Sequence, residues 1–316
     1  MSKKAPSETY ISDNSETECE IVHESNDNNE EEVDLLGDYE EDTEEIELLH
    51  LRLNDIPSLR LERFPKLQRL CLRQNLITKV EGLDNLSNLK DLDFYDNRIS
   101  YIENLEKLTE LDSLDLSFNK IRVIENVGNL IKLTNIYFVQ NKLSKIQNLD
   151  TLVIENLDKL VNLEQLWLGK NKIAELNNLN SLRNLKILSI QSNRLTKLKG
   201  LEGLVNLEEI YLSHNGIQKL EGFEKNLKLR VIDISNNLIK KIENISHLTE
   251  LEEFWASNNQ LTNFEELSVQ LAHLKKMTTV YLEGNPMQVD NHATYRLKIK
   301  THLPQLTQID ATYVQL

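Results

Sequence analysis

The chain has 316 residues and a formal net charge of −15, and residues 1–45 hold 17 acidic but only two basic side chains, whereas the remainder holds 34 of each. An acidic segment joined to a neutral folded part disfavours nucleic acid as a partner, because the segment would repel phosphates. No run of 18 apolar residues and no apolar signal segment is present, and the two cysteines, Cys19 and Cys71, cannot form a disulfide framework. We therefore expect no membrane span and a reducing compartment.

Residues 1–45 are predicted to be a disordered acidic tail. Large apolar side chains are sparse there. Such a segment cannot bury enough surface to offset the entropy that ordering the chain would cost.

Residues 46–290 repeat one phrase, Leu-x-x-Leu-x-Leu-x-x-Asn-x-Ile, mostly at steps of 22 residues. Its asparagines are Asn75, Asn97, Asn119, Asn141, Asn171, Asn193, Asn215, Asn237 and Asn259, flanked by Asn54 and Asn285. A fixed period of this length predicts an α/β leucine-rich-repeat solenoid of about 11 strands, with a concave parallel β-sheet.

Within one coil the apolar spacing changes on either side of the asparagine. Leu92 and Phe94 alternate as in a short strand, with both side chains inward. After Asn97 the spacing becomes three, which suits tight 3₁₀-like turns on the convex side.

Two steps depart from 22 residues. Four extra residues fall in 264–277, where Leu267, Leu271 and Leu274 have a helical period, so we expect an α-helix there. Eight extra residues, Val153 to Leu160, have the spacing of an outer turn without a strand or asparagine. We interpret them as the second half of a repeat that lacks its first 14 residues. The strands through Ile136 and Leu166 should then be neighbours, and Ile154, Leu157 and Leu160 should bulge on the convex side as poorly buried side chains.

Residues 291–316 break the repeat and are predicted to form a C-terminal cap. The run from Tyr295 to Ile309 contains a short amphipathic helix that would close the last leucine layer.

The position between the last two leucines of the phrase should point into the concavity. Read along the chain it holds Asp93, Asp115, Tyr137, Trp167, Ser189, Tyr211, Asp233, Trp255 and Tyr281. Both tryptophans of the chain occupy this position. Rows of exposed aromatic side chains usually mark an interaction face, although large residues could simply cover the sheet. The face is therefore predicted to bind a protein.

Signals for catalysis are poor. The seven histidines are scattered, no glycine-rich phosphate loop occurs, and no paired cysteines suit a metal. We expect no enzyme activity, no cofactor and no metal site.

Several stretches go beyond the repeat consensus. They are Leu168-Gly-Lys-Asn-Lys-Ile173, Gln191-Ser-Asn-Arg-Leu-Thr196, Tyr211-Leu-Ser-His-Asn-Gly-Ile217, Lys241-Ile-Glu-Asn-Ile-Ser-His-Leu-Thr-Glu-Leu251 and Gln308-Ile-Asp-Ala-Thr-Tyr-Val314. Over residues 46–316 the chain closely resembles the nuclear leucine-rich-repeat regulatory subunit of type-1 protein phosphatase, the suppressor-of-dis2 family.

The resemblance implies a non-catalytic, phosphatase-regulating subunit that is monomeric by itself and holds the phosphatase catalytic subunit on its concave face. The positions matching the family's contacts are Asp115, Tyr137, Trp167, Asp233, Glu253, Trp255 and Tyr281. It further implies nuclear as well as cytoplasmic residence, a role in the cell cycle and mitosis, and room for a further inhibitor subunit. One departure is the missing half repeat, since the family has a full repeat between the Tyr137 and Trp167 strands. A structural scaffold of cilia or cytoskeleton is the alternative.

Overall fold

The computed structural model describes residues 34–144 and 157–314. Its sheet contains 13 strands whose order in space equals their order in the chain. The strands are β1 Glu45–Glu47, β2 Arg69–Cys71, β3 Asp91–Asp93, β4 Ser113–Asp115, β5 Asn135–Tyr137, β6 Gln165–Trp167, β7 Ile187–Ser189, β8 Glu209–Tyr211, β9 Val231–Asp233, β10 Glu253–Trp255, β11 Thr279–Tyr281, β12 Gln308–Ile309 and β13 Thr312–Tyr313. All pairs from β1 to β12 are parallel, and β13 returns antiparallel to β12. This is the predicted leucine-rich-repeat solenoid.

Each repeat strand buries its central residue and leaves its two neighbours on the other side of the sheet. Leu92, Leu114 and Ile136, for example, are fully buried and in register. Behind the sheet the chain turns in steps of three residues: Leu86 N–H donates to the Leu83 carbonyl, and Leu89 N–H to that of Leu86. The core is thus a stack of leucine layers between the sheet and these tight turns.

The repeated asparagines join consecutive coils. Asn119 Oδ1 accepts from Ile99 N–H at 2.9 Å in the preceding coil, and its Nδ2 donates to the Phe94 carbonyl at 2.9 Å. Asn119 Nδ2 also contacts two carbonyls of its own turn, those of Leu116 and Ser117. Each asparagine therefore satisfies backbone groups that would otherwise be buried without a partner.

The folded part begins before residue 46, which is its predicted first residue. Leu36 is 1% exposed and belongs to the core, and the Tyr39 ring meets Phe64 edge-on at 6.4 Å. Leu36 thus covers the first leucine layer, which has no preceding coil. The prediction of disorder is wrong for residues 36–45, and residues 1–33 lie outside the described residues.

Across the 30-residue step between Asn141 and Asn171, the flanking strands are neighbours in the sheet, as predicted. Ile136 of β5 is the register partner of Leu166 in β6. Asn171 reaches across the same step, since its Nδ2 donates to the Phe138 carbonyl and its Oδ1 accepts from Leu143 N–H.

The outer side of that step differs from the prediction. Leu157 and Leu160 were expected to be poorly buried, but they are 5% and 0% exposed, and residues Leu157–Lys159 form a 3₁₀ turn. They therefore join the core as ordinary outer-turn leucines. Ile154, the third member of the predicted set, lies outside the described residues.

The predicted helix within 264–277 is present as α1, Glu265–Leu271. The C-terminal region adds α2, Pro286–Val289, and the predicted amphipathic helix α3, Tyr295–His302, with Tyr295 and Ile299 buried. Asp310 ties the cap to the preceding coil, because its Oδ1 accepts from Leu282 N–H at 2.8 Å and from Glu283 N–H at 3.1 Å. The hairpin β12–β13, which the sequence did not predict, then ends the sheet.

One outer-turn position departs from the leucine pattern. Asn226 is fully buried, and its Nδ2 donates to the carbonyls of Leu201 and Leu204. Its Oδ1 has no hydrogen-bond partner. A buried acceptor without a partner is destabilising relative to a satisfied or apolar group.

Candidate protein-binding face

The open face is defined as the side of the sheet that carries the first and third residues of each repeat strand and the residue that follows two positions later. All seven predicted contact residues lie on it: Asp115, Tyr137, Trp167, Asp233, Glu253, Trp255 and Tyr281. Six of them lie between β5 and β11, and Asp115 of β4 is the register partner of Tyr137 on the neighbouring strand.

Five aromatic rings on the open face form one continuous row from β5 to β11. Tyr137 stacks on Trp167, with ring centroids 6.1 Å apart, and Trp167 stacks on Tyr211 at 6.3 Å. Tyr211 then meets Trp255 at 6.1 Å, and Trp255 meets Tyr281 edge-on at 5.6 Å. Aromatic pairs at these separations attract one another beyond the area they bury, so the row is preorganised.

The row crosses two strands that carry no ring. Ser189 of β7 lies between Trp167 and Tyr211, and Asp233 of β9 lies between Tyr211 and Trp255. Both small side chains are buried, at 2% and 5% exposure. Neighbouring strands are ~4.8 Å apart, so rings two strands apart approach each other only by leaning over a small residue.

Three of the rings are held by the side chain two residues earlier on the same strand. Trp255 Nε1 donates to Glu253 Oε2 at 2.9 Å, and Tyr211 OH donates to Glu209 Oε2 at 2.7 Å. Trp167 Nε1 donates to Gln165 Oε1 at 3.2 Å. Burial, followed by the bond to Glu209, raises the pKa of Tyr211, so that its hydroxyl stays protonated and remains a donor.

Charge divides the open face into three zones. The central zone, β5–β7 with the residues that follow, is uncharged: it holds Asn135, Tyr137, Val139, Gln165, Trp167, Gly169, Ile187, Ser189 and Gln191. The N-terminal zone, β1–β4, mixes acids with arginines, whereas the C-terminal zone, β8–β11, has acids alone. The centre therefore offers apolar contact area, and the two ends differ in electrostatics.

In the N-terminal zone four of the five acids lie within 4.0 Å of one of two arginines. Arg73 Nε lies 3.1 Å from Asp93 Oδ2, and an Arg73 terminal nitrogen lies 3.8 Å from Asp115 Oδ2. The Arg73 guanidinium also lies over the Tyr95 ring, 4.4 Å from its centroid. Burial nevertheless raises the pKa of Asp93 to about 6, because desolvation outweighs the arginine.

In the C-terminal zone the acids have no basic partner among the described residues. These are Glu209, Asp233, Glu253 and Glu283, and the first three accept hydrogen bonds from Tyr211, Ser235 and Trp255. Asp233, Trp255 and Tyr281 also line a shallow cavity of about 420 Å³ together with three serines and Asn236. This zone is fitted to receive cationic groups from outside the chain.

Sequence reasoning did not identify two supports of the aromatic row. Gln165 gives Trp167 its acceptor, and Gln308 Nε2 donates to Tyr281 OH at 2.7 Å from the cap. Gln165 could have been found, since it is the counterpart of Glu209 and Glu253 at the start of the strand. Gln308 lies outside the repeat and gave no periodic signal.

Other kinds of site find little support in residues 34–144 and 157–314. No group of three or more His, Cys, Asp or Glu side chains is arranged to hold a metal ion there. No helix in this part of the chain is long and apolar enough to cross a membrane.

The repeat itself defines the class of protein. The profile of the family described as Leucine Rich repeats (2 copies) matches residues 65–107, 87–127, 161–203, 183–225, 205–250 and 227–269, which together exceed half of the chain. The chain belongs to the leucine-rich-repeat family.

Two relatives show a more specific resemblance within this family. The chain is 53% identical over 53 residues to the protein phosphatase 1 regulatory subunit SDS22 of Schizosaccharomyces pombe, and 47% identical over 54 residues to the protein of the same name in Saccharomyces cerevisiae. Each match covers 17% of this chain and 16% of the relative. The resemblance predicted from exposed residues is confirmed, and the matched part spans about one sixth of the relatives' length.

Solved structures support the fold alone. The functional domain of InlJ from Listeria monocytogenes has a TM-score of 0.65 at 23% identity, covering 84% of this chain and 53% of that one. The internalin InlF of the same species has a TM-score of 0.53 at 21% identity, covering 87% and 88%.

Proposed function

We propose that this protein is a non-catalytic regulatory subunit of type-1 serine/threonine protein phosphatase and binds its catalytic subunit on the open face. The observation that carries the proposal is the aromatic row of β5–β11 with uncompensated carboxylates beside it. The two SDS22 relatives, which are named as regulatory subunits of that enzyme, support the identity of the partner.

The three zones suggest how such a complex would form. Tyr137 and Trp167 in the uncharged central zone would lie against an apolar patch, where aromatic anchors contribute most of the binding energy. Glu253 and Asp233 would meet basic side chains, which speeds encounter and sets orientation. Asp115 would contribute less through its charge than the resemblance implies, because Arg73 already lies beside it.

Four further proposals about the protein in the cell follow from the resemblance. They are nuclear and cytoplasmic residence, a role in the cell cycle and mitosis, a monomeric state without the partner, and room for an inhibitor subunit on the complex.

The proposal is tested by calorimetric titration of the purified full chain with the purified phosphatase catalytic subunit. We expect one-to-one binding, weakened at least tenfold by Tyr137→Ala and by Glu253→Gln. Tyr101→Ala and Glu202→Gln are the matched controls, since both side chains are exposed and lie on outer turns. Both controls should bind like the unmodified chain.

Two results would contradict the proposal. One is the absence of binding by the unmodified, folded chain. That result would favour the alternative, a structural scaffold that binds another partner. The other is equal loss of affinity in the open-face variants and in their controls, which would place the contact elsewhere.

A further inference from the structure

A second exposed feature lies at the C-terminal end of the sheet, beside the open face, because Tyr313 of β13 is the register partner of Gln308, which donates to Tyr281 OH. A cleft of about 370 Å³ opens between α3 and the β12–β13 hairpin. It is lined by Arg296, Leu297, Lys300, Ile309, Thr312, Tyr313 and Val314. This volume lies near the lower end of the ~300–1,000 Å³ range typical of ligand sites, so it suits a few side chains rather than a folded domain.

Closing the solenoid does not account for the apolar residues of this cleft. The cap covers the last leucine layer with Tyr295, Ile299 and Leu303, all of which are buried. Leu297 and Tyr313, in contrast, are 70% and 77% exposed. These two side chains therefore give the cleft apolar walls that face water.

The cations of the cleft are positioned but not neutralised. Arg296 donates to the carbonyls of Ile309 and Thr312, and Lys300 Nζ donates to the Leu306 carbonyl at 3.1 Å. Among the described residues, no carboxylate lies within the 4.0 Å of an ion pair with either of them. Backbone carbonyls fix the side chains without cancelling their charge, so the cleft keeps a positive potential.

The strand beside the cleft, β13, lies at the edge of the sheet. β13 is the last strand of the sheet and has a neighbour, β12, on one side only. A terminal strand presents unpaired backbone groups, to which an extended segment of another protein can add.

We propose that this cleft binds a short extended acidic peptide of a partner protein, with one aromatic or aliphatic side chain placed between Leu297 and Tyr313 and a carboxylate beside Lys300. The charge of the cleft selects the acid, and its exposed apolar walls select the neighbouring side chain. This site adjoins the C-terminal edge of the open face but includes none of the seven predicted contact residues, and it would let the subunit hold a second protein.

The test is selection of a phage-displayed library of random dodecapeptides on the full chain, with counter-selection on the double variant Leu297→Ser, Tyr313→Ser. We expect survivors to combine two or more Asp or Glu with an aromatic or aliphatic residue. One such peptide is then synthesised with a fluorophore, and its binding is followed by anisotropy. Lys300→Glu should weaken that binding at least fivefold.

The control variant is Val269→Ser, which changes an equally exposed apolar residue on α1 and should bind the peptide unchanged. Leu297, Tyr313 and Val269 are exposed, so the serine variants should match the melting temperature of the unmodified chain. Lys300 is half-buried and bonded to the Leu306 carbonyl, so Lys300→Glu is compared at a temperature where its own melting curve shows a folded protein. If no sequence survives counter-selection, or the survivors carry no acidic residues, the proposal is wrong. It is equally wrong if the double variant loses the phosphatase catalytic subunit, because the cleft would then belong to that interface.

Discussion

Replacing Trp255 by alanine tests the aromatic row most directly. The ring contacts Tyr211 and Tyr281 with centroids 6.1 and 5.6 Å away, and its Nε1 donates to Glu253. Each aromatic pair contributes about 0.5–1.5 kcal/mol, so the loss of two should lower the free energy of unfolding by roughly 1–3 kcal/mol. From the strand position alone one would expect an unchanged fold, whereas the ring contacts predict a moderate loss of stability.

Binding should suffer as well. Truncation of a central aromatic anchor costs ~2 kcal/mol or more, which corresponds to about thirtyfold in affinity for the phosphatase catalytic subunit. A domain of typical stability, ~5–15 kcal/mol, would still be folded at 25 °C. Urea unfolding and calorimetric titration of the same preparation therefore separate the two effects.

Conservative variants sharpen the interpretation. Trp255→Phe keeps a ring in the row and should retain most of the stability, although Glu253 loses its donor. Glu253→Gln removes the charge but keeps an acceptor for Trp255 Nε1, as Gln165 does for Trp167. Glu253→Ala removes both, so it should lower stability more than Glu253→Gln does. An unchanged affinity of Trp255→Ala, with its unfolding free energy reduced, would refute the anchor role. An unchanged unfolding free energy would refute the ring contacts.

Four further predictions follow from other parts of the molecule. Deleting residues 1–33, which spares Leu36 in the core, should leave affinity for the catalytic subunit unchanged at physiological salt, and a lost interaction in titration would show that the segment binds. Asn226→Leu should raise the free energy of unfolding by about 1 kcal/mol in urea titration, because it removes a buried acceptor without a partner; a decrease would mean that its two donated hydrogen bonds outweigh that penalty. Hydrogen exchange should be faster at residues 157–165 than in the coils that contain Asn119 and Asn193, since solenoid stability depends on neighbouring interfaces and the sequence provides only eight extra residues at this step instead of a full repeat; equal protection would contradict this. Folding raises the pKa of Asp93 to about 6. The folded state therefore binds more protons than the unfolded state between about pH 4 and 6, so the contribution of Asp93 to the free energy of unfolding grows as pH falls through 6. Unfolding at pH 5 and pH 7 should therefore show a smaller pH difference of this sign in Asp93→Ala, and an identical pH profile would refute the assignment.

Much of the fold was predictable because one period repeats. A 22-residue step fixes which residue of each strand faces the core, and alternation then puts Tyr137 and Trp255 on the open face. The same period predicted that Ile136 and Leu166 would be register partners across the incomplete repeat, and they are. The wrong predictions concerned side chains whose burial the repeat period does not determine. Leu36 precedes the repeat, and the burial of Leu157 depends on how the outer turns close, which spacing does not reveal.

The aromatic row shows where sequence reasoning ends in the candidate site. Periodicity assigns one residue per strand and treats each as an independent position. The contacts, however, connect Trp167 to Tyr211 across Ser189, and Tyr211 to Trp255 across Asp233. Rings two strands apart start ~9.6 Å from each other, so centroid distances near 6 Å require both rings to lean inward over a small residue. Ser189 therefore belongs to the binding face even though it is buried and would offer a partner almost no surface. Its small volume allows the rings to form one continuous row, and a continuous row loses less side-chain freedom on binding than five separate rings would.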